Sequence, residues 1–334
     1  PAGTRLELQA AAEYRHAFVS WAGDCAGSNA VCLPSGNQDL AATARFKPQT
    51  CTSDNWCIEE PLPMGPSGVD ELYRVWGSSA TDVFAVGYHG AVLHYNGTRW
   101  YRLDSMWSGT LDNVWGSGKN DVWIVGGGQA ILHYDGSSIT NPQPGAGTNL
   151  YALWGSGPSD IWTFGASPFT EPFYLHYDGT TWTRSVFALK VPVMALWGSG
   201  KNDVWGTGST GTLVHYNGSR WDAVPSGVTA DLNDVYGVAA NQVFAAGVAG
   251  TVLRYDGTAW TPMTTGFNKL LRGVWAADAN SVFVVGDNGT IAHYDGTAWK
   301  ELASGVAYSL RGIWGADAKN IWAVGDGGIL RYLP

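Results

Sequence analysis

From Leu72 to Tyr332 the chain alternates short apolar runs with clusters of Gly, Asn, Asp and Ser, and the same order recurs along it. A core of the form L-x-x-[VLI]-W places an aromatic at Trp76, Trp115, Trp154, Trp197, Tyr236, Trp275 and Trp314, with successive spacings of 39 residues except for 43 between Trp154 and Trp197. Within one copy the pattern predicts four strands. Strand A is LYRVWGS (Leu72–Ser78), strand B is DVFAVG (Asp82–Gly87), strand C is AVLHY (Ala91–Tyr95), and strand D runs from Trp100 to about Leu103. Apolar runs rich in β-branched and aromatic residues, bounded by turn formers, are the strand signal. Asn-Gly or Asp-Gly joins C to D in six copies, at Asn96, Asp135, Asp178, Asn217, Asp256 and Asp295, which predicts tight type I′ hairpins. A repeat of this length with four antiparallel strands is a propeller blade. Helical repeats would show a 3.6-residue period, and leucine-rich repeats are shorter and parallel. The expected fold is all-β: a seven-bladed β-propeller.

The seventh copy supplies strands A, B and C and stops at Pro334. Its missing strand D is expected ahead of the first repeat, at Trp56–Pro63, where Trp56 occupies the slot of Trp100, Trp182, Trp221, Trp260 and Trp299; in the second copy that slot holds Ile139. An open ring would leave one edge of unpaired N–H and C=O groups. The N-terminal strand therefore closes the last blade. Residues 51–334 form the propeller, and residues 1–50 form a small β-rich segment, an incomplete module.

Composition agrees with many tight turns between aromatic strands: 45 Gly and 18 Trp, 45 % hydrophobic, only 14 % charged. Net charge is −9 with no Lys/Arg run, which argues against nucleic acid. No apolar stretch approaches the ~20 residues of a membrane span. No signal peptide is legible, as in a mature chain or a cytoplasmic one. Cys25, Cys32, Cys51 and Cys57 all precede the repeats. Neighbour pairing, Cys25–Cys32 and Cys51–Cys57, is the simplest of three connectivities, and a four-thiolate zinc site is the rival; without a C-x-x-C the disulfides are favoured. Disulfides imply secretion or the cell surface.

The consensus W-G-S-x-x-x-D-V-W-A-V-G…H-Y-[DN]-G-[ST]-x-W resembles secreted bacterial propeller repeats over residues 51–334. Residues 3–46 (GTRLELQA, FVSWAGDCAGSNAVC, LAATARF) resemble the second half of an extracellular bacterial β-repeat domain. Some seven-bladed bacterial propellers are lectins, so the resemblance implies, by analogy, a lectin-like role.

Chemistry shared by all copies is weighed as packing. Sixteen of the tryptophans occupy repeat slots and are read as inter-blade core; Trp21 and Trp107 do not. His94, His133, His176, His215 and His293 share a strand C slot with Arg254 and Arg331. Equivalent slots lie too far apart to share a metal ion, so they are expected to pair with the turn acids Asp82, Asp121, Asp160 and Asp203. The sequons at Asn96, Asn217 and Asn288 read first as turn chemistry. No G-x-S-x-G, H-E-x-x-H, P-loop or EF-hand sequence occurs, YDGTTW lacks the order of an Asp-box, and neither catalytic residues, a metal nor a cofactor is expected.

Specific chemistry is sought where the copies differ. After the first strand A residue they read Tyr73, Asp112, Tyr151, Met194, Asn233, Arg272 and Arg311, a candidate ligand ring at one channel mouth. The blade 3 B–C loop, Ala166–Phe173, is longer than its peers and would present Phe169, Glu171 and Phe173 on the same face; Trp107 and His89 are further candidates there. The favoured reading is an extracellular binding module for a glycan or protein. One alternative is a channel-mouth polysaccharide lyase or hydrolase, with Arg272 and Arg311 holding an anion and Tyr73 or Tyr151 as acid/base. The other is a structural domain of a surface protein.

Overall fold

In a computed structural model the described residues are 8–9, 16–23, 31–32, 42–60, 62, 63, 65, 70–142, 148–167 and 170–334. Seven four-stranded antiparallel sheets follow one another along the chain. Their innermost strands touch neighbour to neighbour around the ring, the first against the last. Blade 1 comprises Leu72–Ser79, Asp82–Gly87, Val92–Tyr95 and Trp100–Arg102. Blade 7 comprises Leu310–Asp317, Asn320–Gly325, Gly328–Tyr332 and, from the other end of the chain, Trp56–Ile58. Tyr332 pairs with Trp56, Arg331 with Cys57 and Leu330 with Ile58, so the expected closure is present. The closing strand is shorter than Trp56–Pro63. One more amide bond, Glu59 N to Ile329 O, extends it, and the prolines at 61 and 63 have no amide hydrogen to continue it. Cys51–Cys57 is a disulfide; pairing of Cys25 with Cys32 lies outside the described residues. Ahead of the ring, His16–Gly23 pairs with Ala42–Pro48, and Leu8–Gln9 with Val31–Cys32.

The shared tryptophans hold neighbouring blades together. A methyl group added at Gly116 would meet the Trp76 ring at 2.6 Å, and one at Gly155 the Trp115 ring at the same distance. The relation repeats for Trp154 over Gly198, Trp197 over Gly237, Trp275 over Gly315 and, across the seam, Trp314 over Gly77. The W-G pair, present in five copies, thus supplies a large ring to the next blade and a bare backbone to the previous one. One junction, between blades 5 and 6, departs on both sides together: the aromatic is Tyr236, and the residue facing it is Ala276 in the core against which Tyr236 packs. A second contact layer joins the strand D tryptophan of one blade to the strand B aromatic of the blade before: Trp182 on Trp123, Trp221 on Trp162, Trp260 on Trp205. Trp56 repeats it on Phe283.

The strand C histidines do pair as expected. His94, His133, His176 and His215 bond Asp82, Asp121, Asp160 and Asp203 at 2.6–2.7 Å and stack on Phe84, Trp123, Trp162 and Trp205. Where the acid becomes Ser281, His293 bonds its hydroxyl at 3.1 Å. Each of the four acids also accepts from the serine of the A–B turn, Ser78, Ser117, Ser156 or Ser199. The carboxylate lies between serine and imidazole, so the imidazole does not reach the hydroxyl as it does in a Ser-His-Asp triad, and the array is read as structural.

The C–D hairpins differ from type I′. That turn needs positive φ at two successive residues, and here only the glycine has it, +92° at Gly97 and +97° at Gly257. The preceding Asn or Asp instead caps the loop: Asn96 Oδ1 accepts the Thr98 and Arg99 amides, and Asp256 Oδ1 those of Thr258 and Ala259. These bonds, from Ser137, Thr258 and Thr297 first, hold Asp135, Asp256 and Asp295 down to about 2. A depressed carboxylate contributes stability above the unfolded value of 3.8 that is lost as pH falls through its folded value. The triple variant Asp135→Asn, Asp256→Asn, Asp295→Asn keeps the cap, as Asn96 and Asn217 do. Thermal melts should show it losing less stability than the parent between pH 4 and 2; equal losses would place acid sensitivity elsewhere.

Candidate functional site

The B–C turns and D–A connections share one face. Gly90 donates to Gly109 O, Gly250 to Lys269 O and Gly289 to Tyr308 O, each bond tying a B–C turn to the connection that follows strand D. On this face a β-bulge interrupts the start of strand A in six blades. The register skips Tyr73, Asp112, Tyr151, Asn233, Arg272 and Arg311. A bulge leaves its extra residue unpaired and re-aims it. The variable ring expected from the sequence is therefore a ring of bulged residues. Blade 4 is the exception, with Val193 in the leucine slot and strand A beginning at Ala195, after Met194.

The ring is tied together electrostatically. Arg272 Nε donates to Asp287 at 2.5 Å, and Arg311 Nε donates to Asp326. Arg311 also lies over the Tyr73 ring at 4.9 Å, across the seam between blades 7 and 1. Arg74 crosses the same seam to Arg311 O at 2.8 Å. Both arginines proposed as anion holders are thus matched by a carboxylate from their own B–C turn. Beside these pairs, Asn113 donates to Tyr151 O at 3.0 Å and Asn233 to Leu271 O at 2.7 Å, while Asp234 accepts the Val274 amide at 3.0 Å; these bonds bridge adjacent blades. The sequence showed that these positions vary without showing that their partners would be main-chain atoms of the next blade.

Asp112 stands apart. Burial pushes its carboxyl up to about 6, against the opposing effects of Arg74, the Thr110 hydroxyl and the Gly127 amide. A raised carboxyl favours the folded state most while protonated, so stability should fall as pH rises from about 4 to about 6. Asp112→Asn removes a charge that costs up to about 3 kcal/mol above that window. Its Tm should exceed the parent's at pH 7.5 and match it at pH 4; a lower Tm at both would contradict this.

The blade 3 loop differs from expectation. Its insertion lengthens the hairpin, with strands Asp160–Ser167 and Thr170–Tyr177. Phe173 is 0 % exposed, in the core, with the Arg184 guanidinium 4.2 Å above its ring. It is not a ligand contact: strand continuation turns it inward, in register with Gly165. Glu171 is exposed and paired with Lys190 at 2.8 Å. Phe169 lies outside the described residues.

At blade 1 the face carries the further candidates His89 and Trp107 and two side chains the sequence did not single out, Tyr88 and Met106. His89 is exposed at φ +52° and lies 3.9 Å from the ring of Tyr88, itself 42 % exposed. Met106 is 84 % exposed at φ +53°. Its slot in blades 4, 5 and 6 is glycine, Gly227, Gly266 and Gly305, with φ from +74° to +78°. Aligning S-M-W with S-G-V, T-G-F and S-G-V would have revealed this exception. Trp107 is partly buried against the core of blades 1 and 2.

The fold and this mouth define a closed seven-bladed propeller with a polar face. No family model matches the chain, and no curated protein matches it in sequence. Solved structures share the architecture. A structure of YCF48 bound to a D1 peptide aligns with TM-score 0.67 at 15 % identity, covering 86 % of this chain and 99 % of that one. YCF48 from Cyanidioschyzon merolae aligns at 0.67 and 13 %, covering 84 % and 99 %. The WD40 propeller domain of Doa1 aligns at 0.67 and 13 %, covering 83 % and 96 %. At such identities the likeness is one of fold. Among the described residues no helix is long and apolar enough to cross a membrane, and no group of His, Cys, Asp and Glu could hold a metal ion.

Proposed function

We propose that this protein is an extracellular binding module that recognises a segment of a partner protein on the B–C/D–A face. The bulged ring carries the reading: in six blades a backbone irregularity sets a side chain of one of four types at the same mouth, while the shared tryptophans are used in packing. Tyr73 and Tyr151 give that mouth aromatic and hydrogen-bonding groups on rigid strands. The YCF48 structure with a D1 peptide supports the same use of a propeller by analogy of fold. The Cys51–Cys57 disulfide supports an oxidising compartment, hence secretion or the cell surface. Residues 1–50 would be a separate small module beside the ring of residues 51–334. Carbohydrate is the second reading, favoured by Tyr73 and Tyr151 at the mouth; the buried repeat tryptophans lend it no support. The lyase or hydrolase reading needs free cations, and Arg272 and Arg311 are already paired.

Parallel peptide and glycan arrays probed with the full chain test the proposal. Peptide binding weakened about tenfold by Tyr151→Ala, with no turnover of any bound probe, is the expected outcome. Binding to glycans alone, or turnover of a polysaccharide, would replace it.

A further inference from the structure

Resting on the peptide-binding reading, we propose that the groove between the D–A connection of blade 1 and the B–C turn of blade 2 holds an extended segment of the partner. An apolar side chain of that segment would lie on Met106 and Trp107, and a lysine or arginine side chain would point toward Asp112. The groove is lined by Met106, Trp107, Thr110, Gly127, Gly128 and Asn149, among others. Its outer end carries the most exposed large apolar side chain among the described residues. That side chain sits on a left-handed backbone where three sister loops use glycine. A non-glycine residue there costs free energy, and an 84 % exposed Met106 recovers little of it by packing. Trp107 likewise replaces the smaller Val228 and Val306 of its slot. The opposite wall is bare, because the B–C turn of blade 2 has Gly127 and Gly128 where blade 1 has Tyr88 and His89. Trp107 already reaches this bare backbone, where a methyl group added at Gly128 would meet its ring at 3.4 Å, so the segment would lie across the apolar floor that the two form.

Charge selects the occupant. Asp104 lies at the outer end, next to Met106, whose amide its carboxylate accepts at 3.0 Å. Asp112 lies at the inner end, close enough to the Thr110 hydroxyl and the Gly127 amide of the groove for both to favour its charged form. No lysine or arginine lines it. The cation that acts on Asp112, Arg74, donates through Nη1 to the carbonyls of Tyr73 and Arg311 and stands outside the groove lining. A groove with carboxylates at both ends and no lining cation favours a basic segment over an acidic one.

A phage-displayed library of random short peptides, panned against the full chain, tests this. Enriched peptides should pair a large apolar residue with Lys or Arg a few positions away. Titrated in solution, they should bind Met106→Gly, Trp107→Val and Asp112→Asn at least about tenfold more weakly than the parent. Met106→Gly carries the residue of the sister loops, so its folding is secure. Replacing the peptide's Lys or Arg by Glu should abolish binding. Enriched peptides that bind all three variants as tightly as the parent would overturn the groove; if they then lose affinity for Tyr151→Ala, the wider reading stands without it. Peptides indifferent to the Lys→Glu exchange would overturn the charge assignment. No enrichment at all would overturn both readings.

Discussion

Trp56→Ala should destabilise the propeller by about 3–5 kcal/mol, the range for truncating a fully buried aromatic. Trp56 is 0 % exposed, although its strand is only three residues long. Its ring packs on Phe283 of blade 6 and Tyr332 of blade 7 at centroid distances of 6.4 and 5.4 Å. Loss of the ring therefore opens a cavity at an inter-blade contact and loosens the strand that closes the circle. The equivalent change at Trp182, which is only partly buried, should cost less because the strand it pairs with, Thr170–Tyr177, is joined to it by continuous chain. Urea unfolding of the two variants checks the order; Trp182→Ala costing as much as Trp56→Ala would show that the closing strand has no special weight.

The second large effect concerns the interlock of ring and glycine. Tyr236→Trp puts the larger ring opposite Ala276, where every other tryptophan faces glycine. Overpacking of this kind costs about 1–3 kcal/mol. Ala276→Gly in the same chain should return most of that loss, although alone it should destabilise by creating a gap. The coupling between the two sites should exceed about 1 kcal/mol in a double-mutant cycle, as expected of residues in direct contact. Additive effects would mean that Tyr236 and Ala276 do not form the exchanged pair. At this contact both partners change together, and Tyr236 is the one copy of the aromatic slot that is not tryptophan.

The ring was legible in the sequence because each blade repeats the same periodic signals, so the strand order, the number of blades and the borrowed strand follow from alignment of the chain with itself. The histidine–aspartate pairs were legible for the same reason: they covary in position within one repeat. The hairpin type was not, because Asn-Gly and Asp-Gly serve several turns, and here the Asp256-type side chain caps the loop instead of sitting at positive φ. The candidate ring at the mouth was recognised by its variability. Its geometry was not, because a bulge leaves no residue signature, and because the partners of Arg272 and Arg311 are acids fifteen residues downstream in the B–C turn. Phe173 was misplaced because an insertion that continues a hairpin looks the same in sequence as one that forms a free loop. Met106 escaped notice because an apolar residue in a glycine slot is informative only once the slot's φ is known.

Several side-chain ties cross the seam between blades 7 and 1: Trp314 over Gly77, Arg311 on Tyr73, Arg74 to Arg311 O, and Arg331 to the Tyr95 hydroxyl at 3.0 Å. They reinforce the ring where its closure depends on a non-covalent strand.

The most direct test compares thermal unfolding of three chains: the full protein, a chain starting at Gly65, and a permuted chain in which Tyr332 runs through Asp-Gly-Thr-Ala into Trp56 and on to Pro63. The inserted turn copies the C–D hairpins of blades 5 and 6. Loss of the sharp transition in the chain starting at Gly65, with its return in the permuted chain, is the predicted result. A truncated chain that melts as sharply and as hot as the full protein would contradict closure of the ring by its N-terminal strand.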